Sequence, residues 1–351
     1  MLTFNFNLKV GKIFKGFYIS FKNIVFSLAK NNLRINIPNN YSELEKINNI
    51  FLNTIDYKLP EVIYGLPLYF PDCKSRYKIG FTMFEAQGIP KKWVNLCNLM
   101  DELWLPSDFN VNEFKAGGVT TNIAKIPLGV NPTIFNKDVP FVRYSSKFTF
   151  LSVFQWSERK NPMPFISYFL KAFDSKDDVI LVLKTIGYKK KFNVYKEMKK
   201  AGFLNKLGSK IIVDSREILD DLMGSVYRAA DCFVFPTSGE GWGMPILEAL
   251  ACGLPVIATD WGGAKEFFNE NNGYPIRVKK LVKPPFRFSK LYTNSLWAEP
   301  DFEHMVYLME YIYENIDSVK DKSIRNSQEI LDKWNWENTA LKIIERLKSF
   351  K

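Results

Sequence analysis

Residues Cys232–Phe267 read CFVFPTSGEGWGMPILEALACGLPVIATDWGGAKEF. An apolar run, Cys232–Pro236, ends in the turn Thr237-Ser238-Gly239-Glu240-Gly241-Trp242-Gly243. A helix then starts near Met244-Pro245, where proline is tolerated because its missing N–H would have no partner anyway. Glycines at 239, 241 and 243 permit positive φ and a close approach of backbone to a ligand. The unpaired N–H groups of a helix start, with the dipole behind them, make an anion site. A second run, Pro255–Thr259, ends in another glycine turn, Asp260-Trp261-Gly262-Gly263, at the same sheet edge. Glu240 precedes the helix and Glu248 lies inside it. Carboxylates repel phosphate but accept well from pairs of sugar or ribose hydroxyls.

Working outward, short β-branched or aromatic runs alternate with segments of helical period. In the first half the expected strands are Leu2–Leu8, Arg34–Ile37, Glu61–Tyr64, Tyr77–Phe84, Glu102–Pro106 and Asn122–Pro127. Helical segments lie between them, among them Phe17–Lys30 and Lys91–Met100. In the second half the strands are Lys147–Phe154, Val179–Lys184, Lys210–Asp214, Cys232–Pro236, Pro255–Thr259 and Tyr274–Val278. Runs apolar on both faces and separated by helices imply parallel sheets covered on both sides. Two such sets imply an α/β chain of two doubly wound, Rossmann-like domains, 1–135 and 146–300, joined by the aperiodic Asn131–Ser146. Residues 301–351 read as helices, the last of them able to pack back on the N-terminal domain. With ligands at strand carboxyl ends, a cleft between the domains is the expected site.

Composition narrows the class. The chain has 351 residues, 46% hydrophobic and 24% charged, which excludes disorder and low complexity. The net charge of +11 is spread over both halves and suits anionic ligands. No apolar stretch reaches the length of a membrane span, and the N-terminus lacks the pattern of a secretory signal. The four cysteines, Cys73, Cys97, Cys232 and Cys252, form no C-x-x-C pair and read as reduced core residues of a cytoplasmic protein.

Glu240 and Glu248 enclose seven residues, within EGWGMPILEALACGLPVIAT. This resembles the E-x7-E signature of retaining glycosyltransferases of the GT-B fold, glycosyltransferase family 4 (group 1) above all. The likeness continues through LMGSVYRAAD (222–231), Asp260–Phe267, WAEPD (297–301) and Trp334-Asn335-Trp336, and more weakly through Phe81–Val119 and Ile126–Val130. It implies transfer of a sugar from a nucleotide diphosphate donor to an acceptor hydroxyl of a glycan, lipid or other glycoconjugate. An Asp-x-Asp metal motif is absent, so no metal and no other cofactor is expected, and cations and helix N-termini must stabilise the leaving diphosphate.

The resemblance places Arg159 and Lys160 on the diphosphate, with Lys184 as a second candidate. The backbone of Gly241, Trp242, Gly243 and Met244 faces diphosphate and sugar, and Trp242 shapes the sugar pocket. Glu240 contacts donor-sugar hydroxyls, Glu248 accepts from the ribose, and the base lies against Val213–Glu217, which includes Arg216. Many family members use a first-domain histidine. The single histidine here, His304, sits in the helical tail and reads as structural. Glu85, after a first-domain strand, is the candidate replacement. The loop Val10–Tyr18 carries Lys12, Lys15 and Gly16 as a candidate acceptor or phosphate loop. The helix after it, apolar on one face and basic at its ends, fits either a core helix or peripheral docking at the inner membrane face. Two other readings compete: a sugar-nucleotide epimerase on the same fold, and a non-catalytic nucleic-acid-binding protein. The latter lacks a recognition pattern, so no nucleic-acid partner is expected.

Overall fold

The computed structural model describes residues 2–9, 15–39, 41–45, 47–187, 193–285, 291–292 and 294–350. Contacts divide the chain into two compact units. One is Met1–Gly129 with Lys283–Leu296 and Trp334–Lys351; the other is Val130–Val282 with Trp297–Lys333.

The first unit carries strands β1 (Thr3–Lys9), β2 (Arg34–Ile37), β3 (Ile50–Leu52), β4 (Glu61–Gly65), β5 (Lys78–Phe81), β6 (Glu102–Leu105) and β7 (Asn122–Lys125). They run in the order β3-β2-β1-β4-β5-β6-β7, all parallel. Helices α1 (Lys15–Lys30), α2 (Lys91–Cys97) and α3 (Asp108–Ala116) alternate with them. The second unit carries β8 (Phe148–Trp156), β9 (Val179–Gly187), β10 (Ile211–Asp214), β11 (Cys232–Phe235), β12 (Val256–Thr259) and β13 (Tyr274–Ile276). Their order is β10-β9-β8-β11-β12-β13, again all parallel. Helices α4 (Pro162–Phe173), α5 (Val194–Lys200), α6 (Met223–Arg228), α7 (Met244–Ala251), α8 (Phe302–Glu314) and α9 (Ile316–Lys333) belong to it, as does an antiparallel pair, β14 (Val278–Val282) with β15 (Trp297–Pro300). Strands β11 and β12 are buried along their whole length, as strands covered on both faces must be.

Both sheets reverse their order beside the first strand, between β1 and β4 and between β8 and β11. At such a reversal neighbouring loops leave in opposite directions and open a crevice at the strand carboxyl ends.

The strand expected at Arg34–Ile37 forms with those bounds, and that expected at Tyr77–Phe84 ends at Phe81. Three strands, β3, β14 and β15, fall outside the expected ones. β3 has three residues, none of them buried, and β14 reads VKKLV with its central residues exposed, so neither shows a core pattern. Helix α1 buries Phe21, Ile24, Val25, Leu28 and Ala29, so its apolar face is a core face. Lys15 and Gly16 open this helix and are exposed; Lys12 lies outside the described residues. No described helix is long and apolar enough to cross a membrane.

Helix α10 (Trp336–Lys348) belongs to the first unit. Its Arg346 grips the fully buried Glu102 of β6 with both Nε and Nη2, the Nε–Oε1 distance being 2.6 Å. Trp104 Nε1 donates to the same Oε1 at 2.6 Å. Gly129 lies so near the start of α10 that a Cβ there would sit 2.3 Å from the Asn335 carbonyl carbon. Removing one partner of a buried ion pair strands the other charge. Arg346→Ala is therefore expected to destabilise the protein by about 3 kcal/mol, read as a lowered urea midpoint; an unchanged midpoint would show that Glu102 is satisfied without it.

Candidate functional site

The reversal in the second unit is flanked by the loops after β8 and β11. The first, Ser157–Asn161, makes a single 3₁₀ turn and closes with Asn161 in the left-handed region at φ 51°. Asn161 Nδ2 donates to the Pro236 carbonyl and to Ser238 Oγ, each at 2.8 Å. The Ser238 N–H donates to the Arg159 carbonyl at 2.7 Å. The two loops are thus tied to each other through backbone groups.

At their meeting point lies the buried carboxylate of Glu240. Arg159 Nη1 donates to its Oε1 at 2.9 Å, Thr237 Oγ1 donates to the same atom at 2.7 Å, and Lys160 Nζ ion-pairs with it too. Lys160 Nζ also stands 4.7 Å from the Phe235 ring centroid. Burial opposes ionisation of Glu240, but the Lys160 ammonium and the Arg159 guanidinium outweigh it and hold the carboxyl below its ordinary range. Beside it, Gly243 caps α7 with φ 97°, a conformation that favours glycine. The turn after β12 packs backbone to backbone on this loop: the Gly263 N–H donates to the Glu240 carbonyl at 2.8 Å, and a Cβ on Gly263 would fall 2.0 Å from the Gly241 carbonyl oxygen. Trp242 is buried, its ring 5.0 Å from that of Phe267.

Glu248 stands apart, on α7, where Tyr227 Oη of α6 donates to its Oε2 at 2.6 Å. Burial pushes its carboxyl up to about 7; the Tyr227 hydrogen bond resists the rise and the charge of Asp220 adds to it.

A third group lies at the end of β10. Arg216 clasps Asp214 through Nε and Nη2, both at 2.9 Å, and Tyr144 Oη donates to Asp214 Oδ2 at 3.0 Å. The buried Lys184 ammonium lies 3.4 Å from Asp214 Oδ1 and donates to the Arg216 carbonyl. Burial disfavours the Asp214 anion, yet the Arg216, Tyr144 and Lys184 contacts together hold its carboxyl well below the usual range. Asp214, Arg216 and Tyr144 border a cavity of about 410 Å³ lined also by Tyr195 and the rest of the Ile212–Arg216 segment.

The structure therefore brings Arg159, Lys160, Glu240 and Gly241–Met244 to one place, and gathers Lys184 and Arg216 about Asp214. In the first unit, Glu85 follows β5 and accepts from Tyr292 Oη at 2.9 Å. His304 Nδ1 accepts from the Arg277 N–H at 3.1 Å, a structural role. Sequence reasoning missed Thr237, Asn161, Asp214, Tyr144 and Tyr227. Asn161 carried a signal, since an asparagine before a proline at a loop–helix junction is suited to the left-handed turn found there.

The fold is that of the GT-B proteins, two parallel Rossmann-like sheets with C-terminal helices. Residues 145–284, a span that contains Glu240 and Glu248, match the family model described as Glycosyl transferases group 1. The sucrose-phosphate synthase of Thermosynechococcus elongatus superposes with a TM-score of 0.72 over 100% of this chain and 99% of its own, at 13% identity. Anabaena HepE, in complex with UDP and glucose, gives 0.69 over 99% and 100%, at 14% identity. A probable sucrose-phosphate synthase of Thermosipho melanesiensis is 24% identical over 289 residues, 78% of this chain. That match spans 60% of the relative's length.

A carboxyl near 7 in the fold, against an ordinary 4.5, makes the folded state hold an extra proton between those values. Stability then falls as pH rises through that window. Glu248→Gln, which cannot ionise, is expected to lose roughly 3–5 °C less than the parent between pH 5 and pH 8; equal losses in thermal melts would refute the raised value.

Proposed function

We propose that this protein is a retaining glycosyltransferase that moves a sugar from a nucleotide diphosphate sugar to an acceptor hydroxyl of a glycan or glycoconjugate, without a metal ion. The observation that carries this reading is the meeting of Arg159 and Lys160 on the buried Glu240 at the sheet reversal, beside the N-terminal turn of α7. Cations gathered at a helix N-terminus favour an anionic ligand. Retaining transfer breaks the bond from the sugar's anomeric carbon to a phosphate oxygen and forms one from that carbon to the acceptor oxygen, on the same face. Negative charge grows on the departing diphosphate, which takes up the acceptor's proton. Arg159 and Lys160 stabilise that charge, a task for which preorganised cations replace a metal.

The three donors to Glu240 all reach Oε1. Oε2 takes none of them and is assigned to hydroxyls of the donor sugar. Glu248 accepts from the ribose hydroxyls, and the base enters the cavity beside Tyr144 and Val213. Lys184, being engaged by Asp214 and the Arg216 carbonyl, is placed under the nucleoside instead of on the diphosphate. Trp242, buried on Phe267, contributes its backbone to the ligand and its ring to the support beneath. The UDP and glucose held by HepE make uridine nucleotides the first probes to try.

The test is release of nucleoside diphosphate from UDP-glucose, UDP-N-acetylglucosamine and GDP-mannose, with and without candidate acceptors. Lys160→Ala is expected to slow release by about 10²-fold, the scale of losing one donor from a charge-stabilising site; near-parental turnover would reject the assignment, and a donor isomerised without cleavage would favour an epimerase. Rates are expected to be unchanged in EDTA, and a loss there would reveal a metal requirement.

A further inference from the structure

Tyr227, the next-to-last residue of α6, is fully buried. Its hydroxyl reaches across to α7 and donates to Glu248 Oε2 at 2.6 Å. The ring that carries this hydroxyl is held from two sides. Phe233 of β11 packs on it at a centroid distance of 5.6 Å, and Phe135 meets it edge to face at 5.8 Å. Phe135 is itself buried and belongs to the aperiodic stretch Asn131–Ser146. Its N–H donates to the Asn131 carbonyl at 2.9 Å, which anchors the loop that presents the ring. The same stretch meets α6 backbone to backbone, since a Cβ on Gly224 would fall 1.8 Å from the Ile134 carbonyl oxygen. Only a residue without a side chain admits so close an approach. Gly224 stands about one helical turn before Tyr227, so the stretch and the phenol are fixed together. All of these residues lie in the second unit.

Glu248 gains from such a partner. It is half-buried, so part of this flexible side chain meets solvent. Ordering it only when a ligand arrives would cost affinity. A short hydrogen bond from a rigid aromatic selects one rotamer beforehand. A carboxylate has about four acceptor positions, of which the phenol takes one, on Oε2. Burial, with the Glu248 charge beside it, pushes the proton affinity of the phenol up, so Tyr227 stays a donor. A permanent donor on one side keeps the carboxylate turned as an acceptor towards a pair of hydroxyls on the other.

We propose that Tyr227 is a positioning residue that fixes Glu248 to receive the ribose hydroxyls, so that this site separates ribonucleotides from 2′-deoxyribonucleotides. It rests on the transferase reading, which puts the ribose at Glu248, and adds to it a specificity element held by Phe135 and Phe233. Because Tyr227 acts on the ribose through Glu248, removing its hydroxyl matters for this choice only while the carboxylate is there.

The experiment uses the full-length parent, Tyr227→Phe, Glu248→Gln and the double variant. Calorimetry gives each a Kd for UDP, 2′-deoxy-UDP, GDP and 2′-deoxy-GDP, and the deoxy-to-ribo ratio is read on the base the parent binds more tightly. The parent is expected to prefer the ribonucleotide about tenfold, the scale of one hydrogen bond to a charged group. Tyr227→Phe keeps both ring contacts and is expected to cut that preference about threefold. A merely structural loss would weaken both nucleotides alike and leave the ratio where it was. The double variant is expected to show the ratio of Glu248→Gln alone, as for two residues acting in series. A parental ratio in Tyr227→Phe, or a ratio that falls further in the double variant than in Glu248→Gln, would overturn the inference while the transferase reading stands. So would a parent that binds a nucleoside diphosphate without preferring the ribonucleotide. Failure of the parent to bind either base's diphosphate would sink that reading and the inference with it. Should Tyr227→Phe not fold, Phe135→Leu loosens the same ring; its expected result is the same selective fall in the ratio, and a parental value overturns the proposal.

Discussion

A single carboxylate oxygen, Glu240 Oε1, receives an ammonium, a guanidinium and a hydroxyl in a nearly dry corner of the second unit. The Lys160 and Arg159 cations hold this carboxyl ionised against its burial. Arginine and lysine here sit at a sheet reversal, beside the N-terminal turn of a helix whose dipole also favours negative charge. Helix end and side chains have the same sign of demand, and on that agreement the diphosphate is proposed for this corner.

The corner keeps its shape through backbone, not side chains. Gly262 and Gly263 press directly on the peptide groups of Glu240 and Gly241. A Cβ at either position would push the two glycine turns apart and carry the Glu240 carboxylate with them. Asn161, in its left-handed turn, adds two hydrogen bonds from the other side. Three loops that are distant in sequence are thus locked by contacts too short to leave slack. Such rigidity lets charged groups act without first having to reorganise.

The glycine constraint also explains what could be read from sequence. Gly-rich turns bounded by apolar runs announce themselves locally, so β11, β12 and the start of α7 were legible, as was the alternation that builds both sheets. Arg159 and Lys160 were singled out by the family resemblance, and the structure sets both on Glu240. What escaped was decided by partners far away. β3 and β14 have no buried face to give them a period. Tyr227, Asp214 and Tyr144 look like ordinary core or loop residues until the fold sets each beside its partner. Tyr292 lies in a stretch of lysine, proline and phenylalanine with no periodicity, and its contact with Glu85 spans 207 residues.

Glu248 and Glu240 share a signature but not an environment, and the difference sorts their chemistry. Glu240 is held ionised by its cations, so it stays an acceptor across the neutral range. Glu248 meets the Tyr227 phenol and feels the charge of Asp220, and burial pushes its carboxyl up to about 7. A diol donating two hydrogen bonds would favour the anionic form and lower that affinity. Binding of a ribose at Glu248 would therefore expel a proton near pH 7, whereas binding of a sugar at Glu240 would not. On the proposed assignment, two carboxylates eight positions apart divide the labour: one a permanent charge that organises the cations, the other a group whose charge would be completed by a bound ribose.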